Sequence, residues 1–267
     1  MKMIDVPKMQ DELPTAGKRV RQTAPEYIGT NVHHSLYLPK NWVKGKQYPV
    51  IVEYTGNYYP PCGCTGEVGD AALGYGLSQG IDFIWVVLPF ISNDHQTNQL
   101  VWWGDEKETV EYCKKNIVRI CSDFGGDPSR IIICGFSRGS IAVNYIGLYD
   151  DEISKLWCAF VTHDHYDGER YCWGSPLEEY RKEAIARLKR MSGRPALVMQ
   201  AQDSVLLYDY IKDKLQYANF TFMVIPIKEL FPEIPNEIIF SSHTDRWMLA
   251  ETDYSRKARE WLYHLLK

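Results

Sequence analysis

Apolar runs of strand length alternate with helical stripes along most of this chain of 267 residues, and this alternation constrains the fold more than any other feature. Most of the runs are continuous in hydrophobicity, which is typical of strands buried on both faces of a parallel sheet. The six runs span residues 49–54, 82–88, 130–134, 156–162, 195–200 and 220–226. Two shorter alternating runs, near 18–23 and 33–38, predict antiparallel edge strands.

Helical patterns occupy the segments between and after these runs. Apolar residues recur there at steps of three and four, as one buried helix face requires. The stripes lie in residues 105–123, 177–191, 204–217 and 254–266. Together the two patterns predict an α/β fold, with a mostly parallel central sheet and helices on both faces. In such a sheet the active site lies beyond the carboxyl ends of the strands, so the loops that follow the strands become the places to search.

The domain organisation that we expect is simple. Residues 1–16 are polar and unpatterned, which predicts an N-terminal arm, and residues 17–267 then form a single domain. Because the sheet and its helices use nearly all of that length, we expect no large lid domain and an open cleft.

The net charge of the chain limits the classes of binding partner that we expect. The chain has 30 Lys and Arg residues against 34 Asp and Glu residues, a net charge of −4. A nucleic-acid or anionic-membrane partner requires a basic surface, so we expect neither. The opening residues carry no apolar run and the seven cysteines are odd in number, which favours the cytoplasm. Secretion of a chain whose signal peptide was removed stays open.

A candidate nucleophile stands out at the end of one strand. Gly135, Ser137 and Gly139 form a Gly-x-Ser-x-Gly motif after the run at 130–134 and before a helix-compatible stretch. A nucleophile elbow needs this order of strand, sharp turn and helix, because the turn exposes the serine oxygen while the glycines let strand and helix approach closely. The motif therefore predicts Ser137 as the nucleophile.

The surrounding segment, FGGDPSRIIICGFSRGS, resembles the α/β-hydrolase superfamily. It is especially similar to single-domain esterases of the polyhydroxybutyrate-depolymerase and feruloyl-esterase type, which carry a Gly-Gly-Asp-Pro turn before the elbow strand. The resemblance covers about Val20 to Lys267. It implies a serine hydrolase that cleaves carboxylic esters through an acyl-enzyme and needs no cofactor.

The serine needs an imidazole to take its proton and an acid to orient that imidazole. The superfamily order of Ser, acid and His implies His243 as the base, since it lies in a loop after the last predicted strand. The same resemblance implies Asp203 as the acid, after the strand at 195–200. Asp164 and Asp167, on the loop after the preceding strand, are alternatives.

Two backbone N–H groups are expected to form the oxyanion hole. One belongs to Arg138, the residue after the nucleophile. The resemblance implies Asn57 for the other, by matching Gly56 to the glycine of the family's His-Gly pair, although Thr55 stands where the histidine often lies. The Arg138 side chain is expected either to contact the substrate or to form a salt bridge that anchors the elbow helix.

Aromatic and imidazole side chains cluster in loops after strands. If they line the cleft, they favour aromatic or carbohydrate-linked esters, since aromatic rings bind flat apolar groups and sugar faces. Packing of the loops onto the core is the alternative. The candidate substrate-binding residues are Tyr58, Tyr59, Trp102, Trp103, His163, Tyr166 and Trp173.

Residues 162–168 read THDHYDG, which resembles the Thr-His-x-His-x-Asp motif of metallo-β-lactamase-type hydrolases. His163, His165 and Asp167 would be the ligands of a metal-dependent hydrolase, but Gly168 replaces the histidine that normally follows the aspartate. We therefore expect no metal, and a metal-dependent hydrolase is the second hypothesis for the function. A serine peptidase on the same fold and a non-catalytic binding protein also stay open.

Overall fold

The computed structural model describes residues 3–169, 177–201, 208–212, 219–231 and 242–266. Eight strands form one sheet in the order β1-β2-β4-β3-β5-β6-β7-β8. Pairs β1–β2 and β2–β4 are antiparallel, and all others are parallel. In chain order, β1 to β8 are Arg19–Gln22, His34–Tyr37, Tyr48–Tyr54, Ile84–Leu88, Gly126–Phe136, Ala159–His163, Ala196–Ala201 and Phe220–Ile225. The sequence prediction of a mostly parallel sheet with antiparallel strands at one edge is confirmed.

Helices cover both faces of the sheet. The helices α1 to α6 are Leu73–Ser78, Glu106–Phe124, Arg138–Tyr145, Leu177–Leu188, Ile227–Leu230 and Asp253–Leu265. Ile131 and Ile133 of β5 join the core that contains α2 and α3, whereas Ile132 and Cys134 join the core that contains α1 and α6. Neighbouring residues of one strand are thus buried on opposite faces, which explains why the predicted runs are continuous. The predicted α/β class is confirmed.

The long helix α2 shows how the sequence sets the ends of an element. Asp105 caps its start, since the Asp105 carboxylate accepts a hydrogen bond from the Glu108 N–H at 3.0 Å. Gly125 ends the helix in the left-handed region, with φ of 78°. The predicted stripe of Val110, Cys113, Ile117 and Ile120 is its buried face. Of the stripe at 204–217, residues 208–212 are helical and the rest lie outside the described residues.

The segment before the sheet lies along the core. Met3 and Gln10 form isolated bridges with Ala250 and Val20, and the Ile4 N–H donates to the Leu249 carbonyl at 2.9 Å. The division into an arm over 1–16 and one domain over 17–267 stays a prediction. None of the helices in the described part of the chain is long and apolar enough to cross a bilayer.

Strand order decides where functional groups meet. Strands β3, β5 and β6 are parallel neighbours near the middle of the sheet, so their carboxyl ends lie side by side. Residues 55–57, Ser137 and Asp164 follow these three ends directly. The loops of most interest are therefore brought to one edge, as the sequence predicts for an α/β sheet.

Candidate active site

Ser137 lies in a sharp turn between β5 and α3. Its backbone has φ of 56° and ψ of −119°, in a region that L-residues seldom occupy. The flanking glycines make this turn feasible. A Cβ at Gly135 would lie 2.2 Å from the Gly139 carbonyl oxygen, and one at Gly139 would lie 1.8 Å from the Tyr54 carbonyl oxygen. The geometry is that of a nucleophile elbow, in which strain exposes the serine oxygen.

His243 connects Ser137 to a carboxylate. Its Nε2 lies 2.9 Å from Ser137 Oγ, and its Nδ1 lies 2.8 Å from Asp164 Oδ2. An ionised carboxylate only accepts hydrogen bonds, so Nδ1 carries the proton and the neutral ring accepts the serine hydroxyl at Nε2. The three side chains form an unbroken hydrogen-bond chain with the order needed to activate a serine.

The carboxylate that contacts His243 belongs to Asp164, one of the two alternatives for the acid. Asp203, the first expectation, lies outside the described residues and stays a prediction. Asp164 follows the last residue of β6, the strand that pairs with β5, so its carboxylate lies beside the elbow. Its left-handed backbone, with φ of 73°, lets the chain turn at this point. Asp167, the other alternative, pairs with Arg187 at 2.9 Å rather than with His243.

Asp164 is buried, yet its surroundings favour the charged form. Burial raises the pKa of Asp164, but electrostatic interactions with His163 and His243 and hydrogen bonds from His243 and the Ala201 N–H lower it by more. The net result is a pKa below the ordinary value of an aspartate. The Ala201 N–H donates to Asp164 Oδ1 at 2.6 Å, which leaves Oδ2 for His243. Asp164 therefore stays ionised at neutral pH and remains a hydrogen-bond acceptor for His243.

The loop after β3 lies against Ser137, as the oxyanion prediction requires. A Cβ at Gly56 would lie 3.3 Å from Ser137 Cβ, so this loop and the elbow are in contact. The Asn57 side chain accepts a hydrogen bond from the Trp102 N–H at 2.8 Å. Within the described residues, the backbone N–H groups of Asn57 and Arg138 donate to no other backbone carbonyl. Neither N–H group is therefore committed to a backbone acceptor in that part of the chain, which is compatible with the oxyanion prediction.

The Arg138 side chain does neither of the two things expected from the sequence. It is buried, so it does not extend into the cleft, and no carboxylate of the described residues pairs with it. Its guanidinium instead donates to backbone carbonyls, including that of Gly56 at 2.9 Å and that of Trp102 at 2.7 Å. A sequence pattern does not distinguish these acceptors, because every residue has a carbonyl.

The aromatic candidates separate into two groups. Tyr58, Tyr59 and Trp102 are exposed to 53%, 54% and 40%, and they lie on the loops around Asn57. Trp103 and Tyr166 are buried in the core, which corrects their assignment to the cleft. Trp103 stacks on Tyr145, with ring centroids 4.6 Å apart. Trp173 lies outside the described residues.

His163 is also buried rather than placed in the cleft. Its Nε2 lies 2.8 Å from the Thr244 carbonyl oxygen and 2.9 Å from Trp247 Nε1. The ring thus holds the backbone directly after His243. Sequence reasoning missed this supporting contact, since the only signal was a histidine at the end of a strand. The assignment of His163 to substrate binding is corrected for the same reason.

The three residues of the metal-like motif point to different partners. His163 contacts Thr244 and Trp247, whereas Asp167 accepts hydrogen bonds from Arg187 and Tyr180. The His165 ring packs beside His243, with centroids 5.3 Å apart. Among the described residues, no group of three or more candidate ligands converges. Within that part of the chain, the three residues of this motif do not converge as the ligands of one metal centre would.

Comparisons with known proteins agree on the fold. No family model and no curated protein matches this sequence. One similar solved structure is a thermostable esterase, with a TM-score of 0.55 and 15% identity over 92% of this chain; the chain spans only 62% of that protein. A structure reported among two fungal esterases from Rhizomucor miehei has a TM-score of 0.58 and 13% identity, covering 95% of this chain and 85% of that one.

A third similar structure is a ferulic acid esterase, with a TM-score of 0.55 and 14% identity over 93% of this chain and 97% of its own. Identities this low establish common architecture, and the resemblance to esterases of this superfamily is confirmed at that level. The sheet order, the elbow at Ser137 and these three likenesses lead to one conclusion: the chain has the α/β-hydrolase fold.

Proposed function

We propose that this protein is a serine carboxylesterase. The observation that carries the proposal is the hydrogen-bond chain from Ser137 Oγ through His243 to Asp164, with the serine on a strained elbow. Acyl transfer by a serine needs these groups in this order. The similar esterases add support from the fold alone.

The proposed reaction has two halves. Ser137 Oγ attacks the ester carbonyl while its proton moves to His243 Nε2, and the N–H groups of Asn57 and Arg138 bind the resulting oxyanion. His243 then gives the proton to the leaving alcohol, and an acyl-serine remains. Water attacks that acyl group with its proton passing to His243, and the acid leaves as Ser137 regains a proton. Asp164 keeps the charged imidazole oriented in both halves.

The substrate that this site supports best is an ester with an aromatic or sugar group near the carbonyl. Tyr58, Tyr59 and Trp102 expose rings beside the oxyanion loop, where such a group would lie. Rings offer contact area with little loss of conformational freedom. A small-molecule ester and a polysaccharide-linked ester both fit this description, and no cofactor enters the proposed reaction.

A fluorophosphonate probe tests the proposal, because it reacts only with an activated serine. We expect the wild-type protein to be labelled on Ser137 and to hydrolyse aryl acetates and feruloyl esters, with or without a chelator. Ser137→Ala should abolish both signals. Ser129→Ala, at an exposed serine near the start of β5, is the matched control and should retain them.

Three contrary outcomes would overturn the proposal. Hydrolysis that survives Ser137→Ala and disappears with a chelator would favour a metal-dependent hydrolase. Cleavage of peptides but not of any ester in the panel would favour a serine peptidase. A protein that is neither labelled nor active would leave a binding function.

A further inference from the structure

The Arg138 guanidinium is buried among neutral backbone oxygens. It donates to Gly56 O at 2.9 Å, to Trp102 O at 2.7 Å and to Gln99 O at 3.1 Å. It also approaches Thr55, at 3.2 Å from the hydroxyl and 3.4 Å from the carbonyl oxygen. The Phe90 ring lies underneath, with its centroid 4.0 Å from the guanidinium carbon. No carboxylate of the described residues pairs with this charge.

Burying the Arg138 charge without a paired carboxylate costs free energy. The groups that the guanidinium contacts therefore indicate the role of the charge. A charge removed from water is usually balanced by an opposite charge, as Asp167 balances Arg187 in this protein. At Arg138 burial lowers the pKa to about 9, so the group remains a cation at neutral pH. The carbonyl dipoles and one aromatic face then offset the free energy that the guanidinium loses on leaving water.

The carbonyls that Arg138 binds belong to two loops around Asn57. Gly56 lies on the loop after β3, and Trp102 lies on the loop whose N–H donates to the Asn57 side chain. The guanidinium therefore fastens both loops to the first residue of the elbow helix. A planar fork with several N–H donors suits this geometry better than a single ammonium does.

The hydrogen bond from Arg138 to the Gly56 oxygen affects one specific group, the Asn57 N–H. The carbonyl of Gly56 and the N–H of Asn57 belong to the same peptide group, which is planar and trans. Fixing the Gly56 oxygen therefore fixes the direction of the Asn57 N–H. A charged donor on that oxygen also polarises the peptide, which strengthens its N–H as a donor.

We propose that the Arg138 side chain is a positioning residue, which sets and polarises the Gly56–Asn57 peptide so that its N–H stabilises the oxyanion. This inference rests on the proposed esterase function. A single residue then governs both oxyanion donors, one through its own backbone N–H and the other through its side chain. Substituting the side chain leaves the Arg138 N–H in place, so the two contributions are separable.

The test compares Arg138→Met and Arg138→Lys with the wild type on an aryl acetate. We expect kcat to fall by about 10- to 100-fold in Arg138→Met, less than or similar to the roughly 10²- to 10³-fold effect of deleting one oxyanion donor. KM should stay within about 3-fold, since the oxyanion forms after binding. The kcat of Arg138→Lys should lie between those of wild type and Arg138→Met, because an ammonium keeps the charge but lacks the planar fork of donors.

A transition-state analogue separates positioning from general damage. An aryl trifluoromethyl ketone adds to a reactive serine and places an oxyanion in the hole, so its Ki should rise in proportion to the loss in kcat/KM. Arg194→Met is the matched control, because Arg194 also donates to backbone carbonyls and lies over Phe160, with no part in the site. That variant should lose thermal stability and keep both kcat and Ki.

Three results would overturn the inference. They are folded Arg138 variants with wild-type kcat and Ki, a rise in KM with unchanged kcat, or an equal loss of activity in Arg194→Met. If Arg138→Met does not fold, Arg138→Lys carries the same comparison. Failure of the esterase proposal is distinct, since the wild-type protein would then neither react with the fluorophosphonate nor hydrolyse the acetate.

Discussion

Two residues of the site adopt backbone conformations that favour glycine. Ser137 has φ of 56° and Asp164 has φ of 73°, and each follows the carboxyl end of one of two paired strands. A left-handed non-glycine residue costs free energy, which the surrounding structure must supply. Here the two left-handed turns direct the side chains of Ser137 and Asp164 out of the sheet and toward the His243 imidazole. The proposed function gives a reason for strain at these two positions.

The acid assignment yields the first prediction. Asp164→Asn should lower kcat by about 10³- to 10⁴-fold, because an amide does not hold His243 in the tautomer that accepts the serine proton. Asp203→Asn should stay within about 3-fold of wild type, since His243 already bonds to Asp164. Steady-state kinetics of both folded variants provide the measurement. The reverse order of effects would restore Asp203 as the acid.

Trp102 carries the second prediction at this scale. Trp102→Ala should reduce kcat/KM for aryl esters by about 10-fold, mainly through KM, because a partly exposed ring next to Asn57 loses its contact with the substrate. Ethyl acetate, which has no ring, should be little affected. Val118→Ala removes an exposed apolar side chain from α2 and serves as the control. Equal losses for both esters would argue against the aromatic subsite.

The elbow element depends on two close backbone approaches. Gly139→Ala would place a Cβ 1.8 Å from the Tyr54 carbonyl oxygen, and neither backbone has room to retreat. We predict a loss of more than about 3 kcal/mol in the free energy of unfolding, at or above the upper range for overpacked sites. Gly69→Ala, where only Met9 Cε lies nearby at 3.6 Å, should cost little. Urea denaturation of the two variants makes the comparison.

Elements of this fold were largely predictable from the sequence, and for a physical reason. A parallel strand buried on both faces needs a continuous apolar run, so β3 at 48–54 and β7 at 196–201 lie within one residue of the predicted 49–54 and 195–200. The elbow could be predicted because its glycines are required by contact distances. These features follow from local chemistry, which a sequence displays directly.

The direction of loop side chains was not predictable in the same way. Trp103 and Tyr166 follow strands as Trp102 does, yet they are buried, because loops lack the periodicity that separates inside from outside. The acid was ambiguous since both Asp164 and Asp203 satisfy the order of Ser, acid and His along the chain. Only the left-handed turn at Asp164 and its place beside β5 decide which carboxylate meets His243.

At the scale of the whole molecule, buried carboxyl groups link stability to pH. Glu53 of β3 accepts hydrogen bonds from the Gly74 N–H and from Trp85 Nε1, both at 2.8 Å. Burial and the nearby Asp245 charge raise the pKa of Glu53 to about 7, although these hydrogen bonds and Arg19 oppose the shift. Burial also raises the pKa of Asp245. Both side chains line one small cleft beside the loop that follows β3.

The sign of the pH effect follows from that shift. Between 4.5, the ordinary pKa of Glu53, and about 7, this carboxyl group is more protonated in the folded protein than in the unfolded chain, so its contribution to the free energy of unfolding falls as pH rises. Glu53→Gln should flatten this slope, whatever constant offset its altered hydrogen bonds introduce. Glu67→Gln, at an exposed carboxylate lining the same cleft, should follow the wild-type curve. Urea titrations at several pH values test this, and parallel curves for wild type and Glu53→Gln would contradict it.

The bridge between Met3 and Ala250 has a consequence for the order of assembly during synthesis. Residues near Met3 are translated long before their partners at Leu249 and Ala250. The segment around Met3 must therefore wait for these partners, although β1 to β6 and the turn at Ser137 are already available. His243 emerges only shortly before Leu249, so a nascent chain holds its serine long before it holds the base. Reactivity at Ser137 should thus arise only after most of the sheet has been synthesised.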